Sequence, residues 1–214
     1  MDIFSQKPVG IKAIFYTHPL CATSRQMHQD WLQFCADYQG LAQFKICIGQ
    51  LPGGDTSANI AKYSQLTLSV KAAALQSARA AGVYLARLGE AIFDEGKDLS
   101  SMNQMVLIAR SLAQKNPSVL DYSRFVTGLT SKEAARSLGE DLKKCHINRI
   151  HTLPTVTFTH QGKGIKLEGK RTYDQLAQAL DRLMPGLKNE RIKNRVTGLS
   201  EWSILQKSPA KLVR

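Results

Sequence analysis

From Ile11 to His18 the chain reads IKAIFYTH, a short apolar run rich in β-formers; beyond it Met27, Trp31, Phe34, Cys35 and Tyr38 recur at three- and four-residue steps. Side chains repeat every two residues along a strand and every 3.6 around a helix, so this stretch predicts a strand feeding a helix. Gly40 ends the helix, and LAQFKICIGQL, with Phe44, Ile46 and Ile48 alternating, predicts a second strand closed by PGGD. Strand, helix and strand in this order imply a parallel pair joined by a crossover helix.

The middle changes period. Val70, Ala74, Ala78, Ala81, Leu85, Leu88 and Ile92 step by three or four, which predicts one long amphipathic helix from Leu68 to Ile92, its small residues permitting close helix packing. Ser101 to Ala113 repeats the pattern, Pro117 interrupts it, and Tyr122 to Leu129 predicts a further short helix. Thr130 and Glu133 have the spacing of a capping box ahead of the stripe Ala135, Leu138, Leu142 and Cys145. Then β returns: LPTVTFTHQGKGIKLEG predicts strands at Thr155 to Thr159 and Ile165 to Leu167 around a turn with Gly162 and Gly164. Thr172 and Gln175 form a second capping box, and Leu176, Leu180 and Leu183 face the core from a last helix that stops at MPG. The expected division is a core of residues 1–56 and 146–186, an all-helical insertion over 57–145 and a C-terminal extension over 187–214.

Composition adds limits. A chain of 214 residues with 43% hydrophobic positions is long enough for one substantial core. The N-terminus lacks a basic region followed by a long apolar run, and nowhere do eighteen apolar residues stand together, so a cytoplasmic protein without membrane partner is expected. Cys21, Cys35, Cys47 and Cys145 are too scattered for a disulfide framework and none has zinc-site spacing, so reduced thiols and no metal are expected. The formal net charge is +12, and seven Lys/Arg against two Glu stand from Pro185 to Arg214; the remainder is dispersed, a solvated basic surface rather than a nucleic-acid groove. GKGIKLEGK lacks the spacing of a phosphate loop and reads as a hairpin turn.

Two motifs carry chemistry: THPLCATS at the first strand-helix junction and HTLPTV at the opening of the second half. With the element order βαβ, helical insertion, ββα, the chain from Ile11 to Pro185 resembles the DsbA-like family of the thioredoxin superfamily. The resemblance implies an α/β, thioredoxin-like fold with an inserted all-helical domain. It places Cys21 where the family's Cys-x-x-Cys begins and Leu153-Pro154 at the cis-proline loop that faces the active site. Cys21 and Ser24 are then the catalytic candidates, with Leu153, Pro154 and His18 the substrate-facing ones. A helix N-terminus favours a thiolate, the nucleophile of disulfide exchange, so the position of Cys21 makes chemical sense.

The departure is Ser24, which has no sulfur with which to resolve a mixed disulfide. Cys35, Cys47 and Cys145 lie on apolar stripes or in a strand and read as small buried hydrophobes rather than resolving thiols. The expected activity is therefore that of a monothiol thiol-disulfide oxidoreductase or isomerase. It has no tightly bound cofactor, takes glutathione or another external thiol as co-substrate, and has protein or small-molecule thiols and disulfides as partners. Ser24 either donates a hydrogen bond to the thiolate or is a polar first-turn residue. His18 either assists proton transfer or stands in solvent at the strand end. Lys143, Lys144, His146, Arg149 and His151 either attract an anionic thiol or form a solvated face. Two other readings stay open: a glutathione transferase or isomerase resembling the kappa class, and a redox-inert module that holds a peptide at the Leu153-Pro154 edge.

Overall fold

The computed structural model describes residues 10–51 and 57–187. Its elements run β1 (Lys12–Thr17), α1 (Ala22–Asp37), β2 (Gln43–Ile48), α2 (Ser57–Ala74), α3 (Ala78–Gly89), α4 (Met102–Lys115), α5 (Tyr122–Leu129), α6 (Lys132–Ile147), β3 (Thr155–His160), β4 (Lys163–Glu168) and α7 (Tyr173–Leu183). The strands form one sheet ordered β2-β1-β3-β4, with β1 parallel to β2 and the other two pairs antiparallel. This is the thioredoxin-like arrangement with helices α2 to α6 between its two halves. The PGGD turn and the basic stretch from 188 onward lie outside the described residues.

Register follows from the alternation. Phe15 pairs with Ile46 on one side and Val156 on the other, so Ala13, Phe15, Phe44, Ile46, Val156 and Phe158 share one face of the sheet. Onto that face α1 lays Trp31, stacked on Phe15 at 5.1 Å, and Phe34, 5.6 Å from Phe158. Ile14, Tyr16 and Cys47 point the other way and meet Cys145 of α6 in a second, smaller cluster.

The long helix expected from Leu68 to Ile92 is two helices. Apolar spacing continues across the break, where the Gln76 N–H tightens to the Ala73 carbonyl three residues back at 3.1 Å and the side-chain amide braces the turn against Asp121, donating to its carbonyl at 2.9 Å and accepting its N–H at 2.8 Å. Ser77 then restarts the helix, its hydroxyl accepting the Ala80 N–H at 2.9 Å. A π-type turn, Glu90–Asp94, follows α3. The capping box expected at Thr130 and Glu133 is also corrected: Thr130 closes α5, and Ser131 caps α6 through the Ala134 N–H. The Thr172–Gln175 box forms as the spacing predicts.

Candidate active site

A tight turn leads from β1 to the first helix. His18 shapes it, its Nδ1 accepting the Leu20 N–H at 3.1 Å while its carbonyl accepts the Cys21 N–H at 3.0 Å. Cys21 is the N-cap of α1, with extended backbone angles of φ −90° and ψ 106°. Its sulfur takes the place a Ser or Asp oxygen usually fills at a helix start and accepts the Ser24 N–H at 3.4 Å. The thiol is half-buried, and its Sγ lies 3.6 Å from the carbonyl oxygen of Leu153, the acceptor for its S–H. Strand and helix thus deliver the sulfur to the one point where free N–H groups converge.

The opposing loop is pinned from both ends. The Leu153-Pro154 peptide is cis and Pro154 is buried. The Pro154 carbonyl accepts the Gly169 N–H at 2.8 Å, and the Thr155 hydroxyl donates to the Thr152 carbonyl at 2.6 Å. The Leu153 side chain closes on Gly49, where an added Cβ would lie 2.9 Å from a Leu153 methyl and push it aside. Cys21, Ser24, Leu153 and Pro154 are therefore brought together around one sulfur.

Two site residues have surroundings that sequence left open. His18 is not in solvent: it is 5% exposed, and burial lowers its pKa from the usual 6.5 to about 4, holding the ring neutral. Ser24 is fully buried, and its hydroxyl finds no hydrogen-bond partner among the described residues; it meets the sulfur through its backbone N–H instead.

Two further residues follow Cys21 along the same helix face, at steps of four and three. Arg25 binds Asp94 of the π-type turn, Nη2 to Oδ2 at 2.6 Å, crossing α3 where a Cβ on Gly89 would stand 2.4 Å from its Cδ. His28, 3% exposed, sits edge-on to Phe15 with both ring nitrogens unpartnered among the described residues; burial first, and then the charge of Arg25, lower its pKa to about 3. Helical spacing from Cys21 is a signal that reaches both residues. Asp94 has none.

Behind Leu153 lies a second pair of thiols. Cys47 and Cys145 pack together, and each shifts the other: the contact with Cys145 and then burial push the Cys47 thiol up, while the contact with Cys47 pulls the Cys145 thiol down against the opposing effect of burial. Cys47 also donates to the Asp141 carbonyl at 3.5 Å, and Cys145 to that of Ile48 at 3.8 Å. Cys35 is fully buried in the aromatic core, where desolvation raises its pKa well above the usual thiol range.

Alongside this half-buried cysteine at a helix N-terminus, facing a cis-proline loop over a β2-β1-β3-β4 sheet, residues 14–178 match the thioredoxin family. The chain belongs to that family. Among solved structures this thioredoxin-family chain is similar to a candidate protein disulfide isomerase from Nitrosomonas europaea, with a TM-score of 0.67 and 14% identity over 81% of this chain and 97% of that one. It is also similar to reduced DsbA1 from Neisseria meningitidis, with a TM-score of 0.61 and 12% identity over 91% of each chain. A third is the cytosolic disulfide reductase DsbM from Pseudomonas aeruginosa, with a TM-score of 0.56 and 12% identity over 87% of this chain and 98% of that one. The fold is DsbA-like. Curated relatives include the ClpXP adapter protein SpxH of Bacillus subtilis, 29% identical over 116 residues, and that of Bacillus licheniformis, 28% identical over 117. Each match covers 53% of this chain and 37% of the adapter, so the chain spans well under half the length of the curated relatives it matches. No helix among the described residues is long and apolar enough to cross a membrane.

Proposed function

We propose that this protein performs thiol-disulfide exchange through Cys21 alone, in a reducing, cytoplasmic setting. The observation that carries the reading is the half-exposed Cys21 sulfur, met by the Ser24 N–H at 3.4 Å and set 3.6 Å from the Leu153 carbonyl. The Cys21 thiolate attacks one sulfur of a substrate disulfide, a Cys21–S bond forms, the substrate S–S bond breaks, and the departing thiolate takes up a proton. Ser24 cannot displace the bound half. An external thiol of the glutathione class attacks the substrate sulfur of the mixed disulfide, leaves as a new disulfide with it, and returns Cys21 to the thiolate. Leu153 and Pro154 present the backbone edge beside which the substrate's extended segment lies, and His18 positions the turn that holds Cys21.

The test pairs intact-mass analysis after incubation with oxidised glutathione with turnover of a model disulfide peptide. The expected result is one glutathione adduct on Cys21, turnover only with added thiol, loss of both in Cys21→Ala, and thiol-independent oxidase activity in Ser24→Cys. If Cys21→Ala matches the wild type while Ser24→Ala loses glutathione-dependent transfer, the monothiol mechanism fails and a kappa-class-like transferase takes its place. A second reading is favoured by the curated relatives, which are named as ClpXP adapters. It makes the Leu153-Pro154 edge a peptide-holding surface, and it is the one that survives if neither substitution alters thiol chemistry.

A further inference from the structure

The sheet has an uncovered corner at the end away from Cys21. There a cleft of about 570 Å³ opens between β1, β2, α2, α3 and α6. Lys12, Lys45, Lys71 and Lys144 line it, and among the described residues no Asp or Glu does. Asp141 stands at its floor, fully buried, with Lys71 Nζ 2.6 Å from Oδ2 and Lys45 Nζ 3.4 Å from Oδ1. One carboxylate among four ammonium groups leaves most of the positive charge unanswered. Lys45 and Lys144 line the same wall of the cleft, and Lys144 is pushed below the usual lysine range first by its neighbour Lys45 and then by burial. Two ammonium groups this close repel each other strongly unless a proton leaves or an anion comes between them.

The rest of the wall has the opposite character. Ile14, Phe44, Ala74, Ala78 and Ala81 offer apolar surface beside the lysines. The volume falls in the range of small-molecule sites, roughly 300 to 1,000 Å³, which typically combine an apolar lining with a few convergent polar groups. Inorganic anions would satisfy the lysines and leave the apolar wall bare. A neutral hydrocarbon would do the reverse.

We propose that this cleft binds an organic anion, its acidic head bridging Lys45 and Lys144 and its apolar body lying against Phe44 and the three alanines. The proposal is independent of the chemistry at Cys21, which lies at the other end of β1. Carboxylate and phosphate heads share the required chemistry, and the experiment separates them.

The full-length protein is loaded with anilinonaphthalene sulfonate, a fluorescent aromatic anion, and titrated below micelle concentrations with decanoate, decyl phosphate, decanol and inorganic phosphate. Either acid, or both alike, is expected to displace the probe at least about tenfold more tightly than decanol or inorganic phosphate, and the ranking of the two acids tells carboxylate from phosphate. A Lys45→Met/Lys144→Met variant, checked by circular dichroism, is expected to lose about tenfold or more in affinity for the better acid while its affinity for decanol hardly changes. The proposal is overturned by the absence of saturable displacement with either acid, by decanol or inorganic phosphate matching the acids, or by a folded double variant that binds as the wild type does. Should the double variant fail to fold, the ligand series on the unmodified protein decides by itself.

Discussion

The two faces of the sheet are made of alternate residues on the same strands, yet they are held by opposite means. On one, Phe15, Trp31, Phe34, Phe44 and Phe158 pack ring against ring with centroid separations of 5.1 to 6.0 Å, and no ion pair is needed. On the other, the buried carboxylate of Asp141 accepts from Lys71 at 2.6 Å and from the Ile48 N–H at 3.0 Å, beside the Cys47–Cys145 pair and Tyr16. Dispersion and apolar burial add contact by contact, so the first face tolerates partial loss. The second is a network of desolvated polar groups, in which removing one member strands the next.

The sharpest way to break this contrast is at the ion pair. Lys71→Met leaves Asp141 charged and buried with the half-exposed Lys45, 3.4 Å away, as its remaining ammonium partner among the described residues, and urea unfolding is expected to show a loss of about 3 kcal/mol. Adding Asp141→Leu should recover much of it, because the buried charge is gone and what loses a partner is the Ile48 N–H and the partly exposed Lys45 ammonium. On the aromatic face Phe34→Ala is expected to cost a similar 3 to 5 kcal/mol or so through the cavity it leaves, with no such rescue by deleting a neighbour. If the double variant on the polar face is as unstable as Lys71→Met alone, the contrast between the faces is wrong.

A similar effect, residue for residue, is expected from pH. His28, against Phe15, and His18 both have folded pKa values below the unfolded 6.5, at about 3 and about 4, chiefly from burial. The unfolded chain binds protons first as pH falls, so their contribution is complete above 6.5 and is lost progressively down toward those folded values. Between pH 7 and 4, stability should fall by about 3 kcal/mol for each histidine. His28→Leu should remove its share of that slope, and an unchanged slope in urea titrations at the two pH values would contradict the burial of a neutral ring. The smallest effect belongs to Tyr16, whose oxygen accepts from Asn148 Nδ2 at 2.9 Å across the polar face. Tyr16→Phe should cost about 1 kcal/mol in the same assay, and Asn148→Ala added to it should cost little more, since the two act as one bond.

What the amino-acid order determined alone was local. The alternation in IKAIFYTH, the helical steps from Met27 to Tyr38 and the Thr172–Gln175 capping box act over a few residues, where side-chain direction and backbone pairing are set by neighbours in the chain. The placement of Cys21 at a strand-helix junction belongs to this class, and the Leu153-Pro154 position was legible through the family resemblance. What only the tertiary structure decided was long-range. The turn after α2 is braced by Gln76 meeting Asp121, 45 positions away, and the core of the polar face is built on Lys71 meeting Asp141, 70 positions away. The burial of His18, the unpartnered hydroxyl of Ser24 and the gathering of four lysines around one cleft are likewise absent from any window of the sequence. Desolvation and charge pairing depend on distance in space, and a polar side chain carries the same letter whether it ends in water, against a partner or alone in the core.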